Sequence, residues 1–78
     1  MEINESLKTY FKKIGKNIRK LRESENITIS ELSEKTRIRK IYLQKIENGV
    51  AYRVSIEHHL LKIADALKIR ISDIFDFE

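Results

Sequence analysis

Cysteine, proline and tryptophan are absent from this 78-residue chain, and glycine occurs only twice. Without cysteine there is no disulfide framework, no thiol nucleophile and no thiolate metal site. A reducing, cytoplasmic setting is the expectation that follows. No apolar run approaches the ~20 residues of a membrane span. The opening MEINESLK also lacks the charged-then-apolar plan of a signal peptide. No membrane association is expected. A glycine-rich phosphate loop is missing, and the serines, histidines and carboxylates do not fall into a nucleophile–base set. His58 and His59 are adjacent, so on a helix they point ~100° apart and cannot share one metal from a common face. No enzyme, metal or cofactor is therefore expected. The length argues for one domain over residues 1–78, with 1–12 as an N-terminal extension of the first helix.

Charge is present in quantity and unevenly placed. Sixteen Lys and Arg against twelve Asp and Glu give a formal net charge of +4. Five basic residues and no acid lie between Lys35 and Lys45: Lys35, Arg37, Arg39, Lys40 and Lys45. The last six residues carry Asp73, Asp76 and Glu78 and no base. A basic middle and an acidic end suit a chain that turns one face to a polyanion and another away from it. The run Lys12, Lys13, Lys16, Arg19 and Lys20 reads as ordinary solvated surface.

Sparse punctuation with abundant Lys, Glu, Ile and Leu reads as an all-α chain. Leu7, Phe11, Ile14, Ile18 and Leu21 recur at helical spacing and predict a first helix, capped from Asn4, Ser6 or Thr9. Gly15 inside it costs ~1 kcal/mol relative to Ala, which a close helix contact would explain. Asn26 suits a left-handed stop. Thr28 and Glu31 have capping-box spacing at the head of a short second helix carrying Leu32 and Ser33. Thr36, Arg37 and Ile38 form a turn. A third helix spans residues 39–48, with Leu43 and Ile46 inward and Gly49 as a left-handed stop. Ser55 caps a fourth helix whose expected inner face is Ile56, Leu60, Ile63, Ala64 and Leu67. Residues 68–71 read as an extended connector. Ser72 and Asp73 then begin a fifth helix bearing Ile74 and Phe75.

The unit that carries function is residues 28–46: a short capped helix, a three-residue turn and a second helix, the arrangement of a helix-turn-helix. Its third helix leaves Arg39, Lys40, Ile41, Gln44 and Lys45 outward. Such side chains suit groove reading: Lys donates to guanine O6 and N7, Gln pairs with adenine N6 and N7, and Ile touches a thymine methyl.

The stretch from IGKNIRKLRESENITISELSEKTRIRKIYLQKIENG to LLKIADALKIRISDIF resembles the lambda-repressor/Cro (XRE) family of helix-turn-helix regulators over roughly residues 13–75. Its most specific pieces are Leu21-Arg22, E-L-S at 31–33, Tyr42-Leu43 and I-E-N-G at 46–49. The resemblance implies a compact five-helix fold, double-stranded DNA as partner, twofold dimers on palindromic operators and no cofactor. It implies Lys40, Ile41, Gln44 and Lys45 on base edges. It also implies Thr28, Arg37, Arg39, Asn48 and Arg53 on phosphates, and a structural ion pair between Arg22 and Glu47. Three departures stand out. Ile29 occupies a position where the family often has a phosphate-clamping Gln. Arg37 stands where the family favours Gly, at a cost of ~1–2 kcal/mol in a left-handed geometry. The loop VAYRVSIEHH lacks the family's Pro and has shifted spacing.

The expectation is a transcriptional regulator, a repressor, binding a palindromic operator as a homodimer with half-sites ~34 Å apart. The C-terminal half with the fifth helix is the expected dimer contact. Leu7, Tyr10 and Phe11 read as extra core, or alternatively as part of that contact. Prophage repressor, restriction–modification controller and mobile-element regulator all fit the same chemistry. The alternative class is a protein-binding module, such as an antitoxin gripping a toxin or a regulator bound by an antirepressor. A third reading, a purely structural helical bundle, predicts no sequence preference on DNA.

Overall fold

The computed structural model describes residues 4–77. Five α-helices, α1 (Glu5–Ser24), α2 (Ile29–Thr36), α3 (Lys40–Glu47), α4 (Leu61–Leu67) and α5 (Ile71–Ile74), surround one apolar cluster. A single π-helical turn, Ile56–Leu60, leads directly into α4. No strand occurs among the described residues, so the architecture is the all-α, five-helix one expected.

Of the three candidate caps for α1, Asn4 is used: its Oδ1 accepts the Leu7 N–H at 2.9 Å. Twenty residues make a helix ~30 Å long, close to the 33 Å longest dimension of the molecule. Ile14, Gly15 and Ile18 are buried, with Phe11 and Leu21 packed beside them. Leu7 departs from the expected inner face: it is 43% exposed. The helix stops as foreseen, with Asn26 left-handed at φ 57°.

The Thr28–Glu31 capping box forms in both directions. Thr28 Oγ1 accepts the Glu31 N–H at 3.1 Å, and Glu31 Oε1 accepts the Thr28 N–H at 2.8 Å. The Thr28 backbone hydrogen bond holds the Glu31 carboxyl below its ordinary pKa. Ile29, in place of a polar residue, packs partly buried against the core.

Between α2 and α3 the chain reverses through Arg37, which is left-handed at φ 61°, ψ 22°. The turn is not distorted to spare a non-glycine residue. Its polar groups are instead fully used. Ser33 Oγ donates to the Ile38 carbonyl at 2.6 Å. Thr36 Oγ1 donates to the Leu32 carbonyl at 2.8 Å and accepts the Ile38 N–H at 3.2 Å. Ile38 itself is buried.

The end of α3 lies directly on α1, and both glycines serve that contact. A Cβ on Gly15 would collide with the carbonyl oxygens of Ile46 and Glu47, coming 2.5 Å from the latter. Gly49, left-handed at φ 76°, seats its Cα against Lys12, where a Cβ would stand 2.6 Å from the Lys12 Cα.

The segment after residue 54 differs from its expected form. Ser55 is a cap, accepting the His58 N–H at 2.9 Å, but the turn that it opens is π-helical, with Leu60 N–H bonded to the Ser55 carbonyl at 3.0 Å. The extra residue in that turn takes Ile56 out of phase with Leu60, Ile63, Ala64 and Leu67. Those four are buried, whereas Ile56 is 57% exposed. Lys68 is left-handed at φ 58° rather than extended, and α5 begins at Ile71, one residue early. The Asn17 amide donates to the carbonyls of Asp73 and Ile74, at 2.9 and 2.8 Å, and so fastens the end of α5 to α1.

Ile18, Leu32, Leu43, Ile63, Leu67 and Ile74 are the largest fully buried side chains and come from all five helices. Each contributes about 1.5–3 kcal/mol relative to exposure. No described helix is long and apolar enough to cross a membrane.

Candidate nucleic-acid interface

The eight residues of α3 divide cleanly. Leu43, Ile46 and Glu47 are buried and Tyr42 is half-buried, while Lys40, Ile41, Gln44 and Lys45 are exposed. At ~100° per residue, Ile41, Gln44, Lys45 and the following Asn48 share the face opposite Leu43 and Ile46, with Lys40 at its edge. The four residues expected on base edges are therefore brought together. Ile41 stands at the middle of that face and is 62% exposed, the highest value among the large apolar side chains that reach solvent. The only acid of α3, Glu47, is turned into the protein.

Glu47 holds the face in position. Its carboxylate accepts Arg22 Nε at 2.7 Å and Arg22 Nη2 at 3.1 Å, a two-pronged pairing. Arg22 Nη1 donates to the Ile27 carbonyl at 2.7 Å, just before the α2 cap. The Glu47 and Arg22 side chains are only 3% and 11% exposed. The hydrogen bond to Glu47 lifts the Arg22 guanidinium above its ordinary pKa, against the opposing effect of burial. The pair expected from sequence is present, and it links α1, α3 and the entry to α2.

Arg19 was not foreseen in this set; the sequence reading placed it in the solvated surface run. Its Nε reaches Glu47 Oε1 at 3.2 Å and its Nη2 donates to Asn48 Oδ1 at 2.8 Å. Asn48 is thereby oriented, with its oxygen occupied and its amide hydrogens left to donate outward. The signal was available in the sequence: Arg19 and Arg22 are three apart, hence on one face of α1.

The residues expected on phosphates are dispersed around this helix. Thr28 is exposed at the head of α2, its backbone N–H already given to Glu31. Arg37 and Arg39 flank the turn before α3, both exposed. Arg39 is the N-cap residue of α3 and makes no side-chain capping bond, so its guanidinium is not needed locally. Arg53 lies in the exposed turn between α3 and the π turn, apart from the α3 face in sequence. Of the remaining basic run on α1, Lys12 lies against Gly49, while Lys13, Lys16 and Lys20 line a groove shared with Asp76 and Phe77, where Lys13 Nζ sits 5.9 Å from the Phe77 ring centre. Asp76 and Phe77 thus stand beside α1.

Among the described residues no group of three or more His, Asp and Glu stands close enough to hold a metal ion. His59 is half-buried: its Nδ1 accepts the Ser55 N–H at 2.8 Å and its ring lies 5.0 Å from that of Tyr42. Burial, then the charges of His58 and Lys62, hold His59 below its ordinary pKa.

Three likenesses bear on this arrangement. A family model for the Cro/C1-type helix-turn-helix DNA-binding domain matches residues 17–78. SlrR, an HTH-type transcriptional regulator of Bacillus subtilis (strain 168), is 34% identical over 65 residues. That match takes in 83% of this chain but 42% of SlrR, so the chain spans less than half the length of that relative. The crystal structure of C.AhdI, the restriction-modification controller protein from Aeromonas hydrophila, is similar with a TM-score of 0.78 at 28% identity, covering 83% of this chain and 96% of that one. The helix-turn-helix of α2 and α3, its locked turn and the matched model over residues 17–78 lead to one statement: the chain belongs to the Cro/C1-type helix-turn-helix DNA-binding domain family.

Proposed function

We propose that the protein is a transcriptional regulator, acting as a repressor, that binds a palindromic operator as a homodimer with α3 of each protomer in a major groove. The observation that carries this reading is the outward face of α3. Ile41, Gln44 and Lys45 are exposed together on a helix whose other side is fixed by Leu43, Ile46 and the Glu47 ion pair. A 62% exposed isoleucine amid Lys and Gln is unfavourable surface in water but good complement to a thymine methyl beside purine edges. Lys40, Ile41, Gln44 and Lys45 read bases. Thr28, Arg37, Arg39, Asn48 and Arg53 hold phosphates and set the register.

Two protomers are needed because one eight-residue helix reaches only a few base pairs, and half-sites ~34 Å apart present two grooves on one side of the duplex. The apolar surface around Tyr10, Phe11, Ile56 and Phe75 supports self-association.

Restriction–modification control is the more specific role that we favour. C.AhdI is named as such a controller, and the likeness extends over 96% of its chain. Selection from a pool of randomised duplex DNA, with the mass of the selected complex measured in solution, tests the reading. The expected result is a palindromic consensus bound by two chains. Selection of no consensus contradicts it, and one stoichiometric protein partner with no DNA preference favours a toxin-binding or antirepressor-binding module instead.

A further inference from the structure

An open cleft of about 390 Å³ runs between the helix-turn-helix turn and the start of the fourth helix, and Arg37, Arg39, Tyr42, His58, His59 and Lys62 line it. Three of these carry permanent positive charge, and none of the three is ion-paired among the described residues. No carboxylate lines the cleft; Glu57 meets its rim only through His58, at 3.4 Å. The hydrogen bond from the Ser55 N–H occupies Nδ1 of His59, so the neutral ring carries its proton on Nε2 and is a donor there. The left-handed turn sets the backbone of Arg37, and Ser55 and the Tyr42 ring hold the His59 ring.

The position of the cleft gives it meaning. On one flank of α3, Arg19 and Asn48 extend from the α1 side. The cleft lies on the other flank, beyond Tyr42 and next to the fourth helix. A helix seated in a major groove ~12 Å wide has a sugar–phosphate wall on each side. From these observations the geometry points to a phosphate clamp on the α4 side of the recognition helix, in which Lys62 and His59 join Arg37 and Arg39 around one backbone phosphate of the DNA. This rests on the DNA-binding reading above. Its new content is the assignment of Lys62 and His59, which no motif of the helix-turn-helix contains.

Lys62 is the residue to test, since it is exposed and outside the core. The operator affinity of the wild type, Lys62→Ala and Lys62→Arg is measured across a salt series, on the duplex that the wild type selects. Each lost phosphate contact lowers the slope of log K against log salt by about 0.9. Lys62→Ala is expected to lower the slope by that amount per protomer, weaken all duplexes alike and keep the consensus, while Lys62→Arg restores the slope. Thermal unfolding of each variant separates this from loss of fold. An unchanged slope in a folded Lys62→Ala protein overturns the clamp and leaves the DNA reading standing. A wild type that selects no duplex overturns both. Titration of inorganic phosphate into the DNA-free protein supplies the last arm: saturable shifts of the Lys62 and His59 amide signals, together with an unchanged DNA salt slope in Lys62→Ala, mean that the cleft serves a free anion, and the clamp fails.

Discussion

Arg22 and Glu47 form a buried, two-pronged ion pair, 2.7 and 3.1 Å across its two arms, that joins the last turn of α1 to the last residue of α3. α3 is therefore anchored by charge at one end and by Leu43 and Ile46 along its side. A buried pair of this kind is expensive to break from one side, because the remaining charge has neither water nor partner.

Glu47→Ala should accordingly destabilise the protein by about 3–5 kcal/mol, a large share of the stability of so small a domain. Replacing both partners, Arg22→Met with Glu47→Leu, should cost clearly less than the single change. Urea denaturation of Arg22→Met, Glu47→Leu and the double measures the coupling. Additive effects would mean that the pair contributes nothing as a pair.

Gly15→Ala opposes two known effects. Helix propensity favours alanine by ~1 kcal/mol, yet the new methyl would run into the carbonyls of Ile46 and Glu47. Backbone cannot yield as a flexible side chain can, so overpacking wins, with a net loss of about 1–3 kcal/mol. A variant of higher melting temperature than the wild type would show that α1 and α3 are not in such close contact.

Arg37 separates stability from binding. Its left-handed conformation is strained for a residue with a Cβ. Arg37→Gly should gain on the order of 1 kcal/mol, a rise of roughly 4–8 °C in melting temperature for a domain of this size. The same change removes a cation beside α3, so DNA affinity should fall while stability rises. A variant that is both less stable and fully active would refute each half.

The locked turn makes a further prediction. Thr36→Val keeps the shape of the side chain but removes the acceptor for the Ile38 N–H, which lies in a buried environment. The expected loss is about 1–3 kcal/mol, read by thermal or urea unfolding. An unchanged midpoint would mean that the amide finds another partner.

His59 gives the stability a pH dependence of known sign. Its pKa in the folded protein is held below 6.5, so the folded state binds the proton less readily than the unfolded chain. The contribution is full above pH 6.5 and is lost as pH falls from there through the folded pKa. Melting temperature should therefore decline on acidification below about pH 6.5, and His59→Gln should decline less over the same range. Identical pH profiles for the two proteins would remove His59 from the account.

Local punctuation was legible because it is a matter of short-range hydrogen bonding. Thr28 with Glu31, Asn26 and Gly49 each announce a backbone event within three residues, and each occurs. The division of α3 into an inner and an outer face follows from 3.6-residue periodicity alone. Ile56 could not be placed that way. A π turn inserts a residue without any compositional mark, and the phase counted back from Leu60 becomes wrong by that residue. Lys68 is similar: nothing in Lys-Ile-Arg-Ile announces a left-handed residue, and the alternation imitates a strand. The i, i+3 spacing of Arg19 and Arg22 put both on one face of α1, but their common partner Glu47 and the Arg37–Lys62 cleft were not legible in it. Both depend on which helices cross, information that resides in the packed structure and not in any one segment.

The base preference of Lys45→Ala, compared with that of the wild type over randomised duplexes, tests most directly whether the outer face of α3 reads DNA. A loss of about 1–3 kcal/mol of discrimination, confined to one position in each half-site and with thermal stability intact, is the predicted result. A folded Lys45→Ala protein that selects the wild-type consensus unchanged at every position would contradict it.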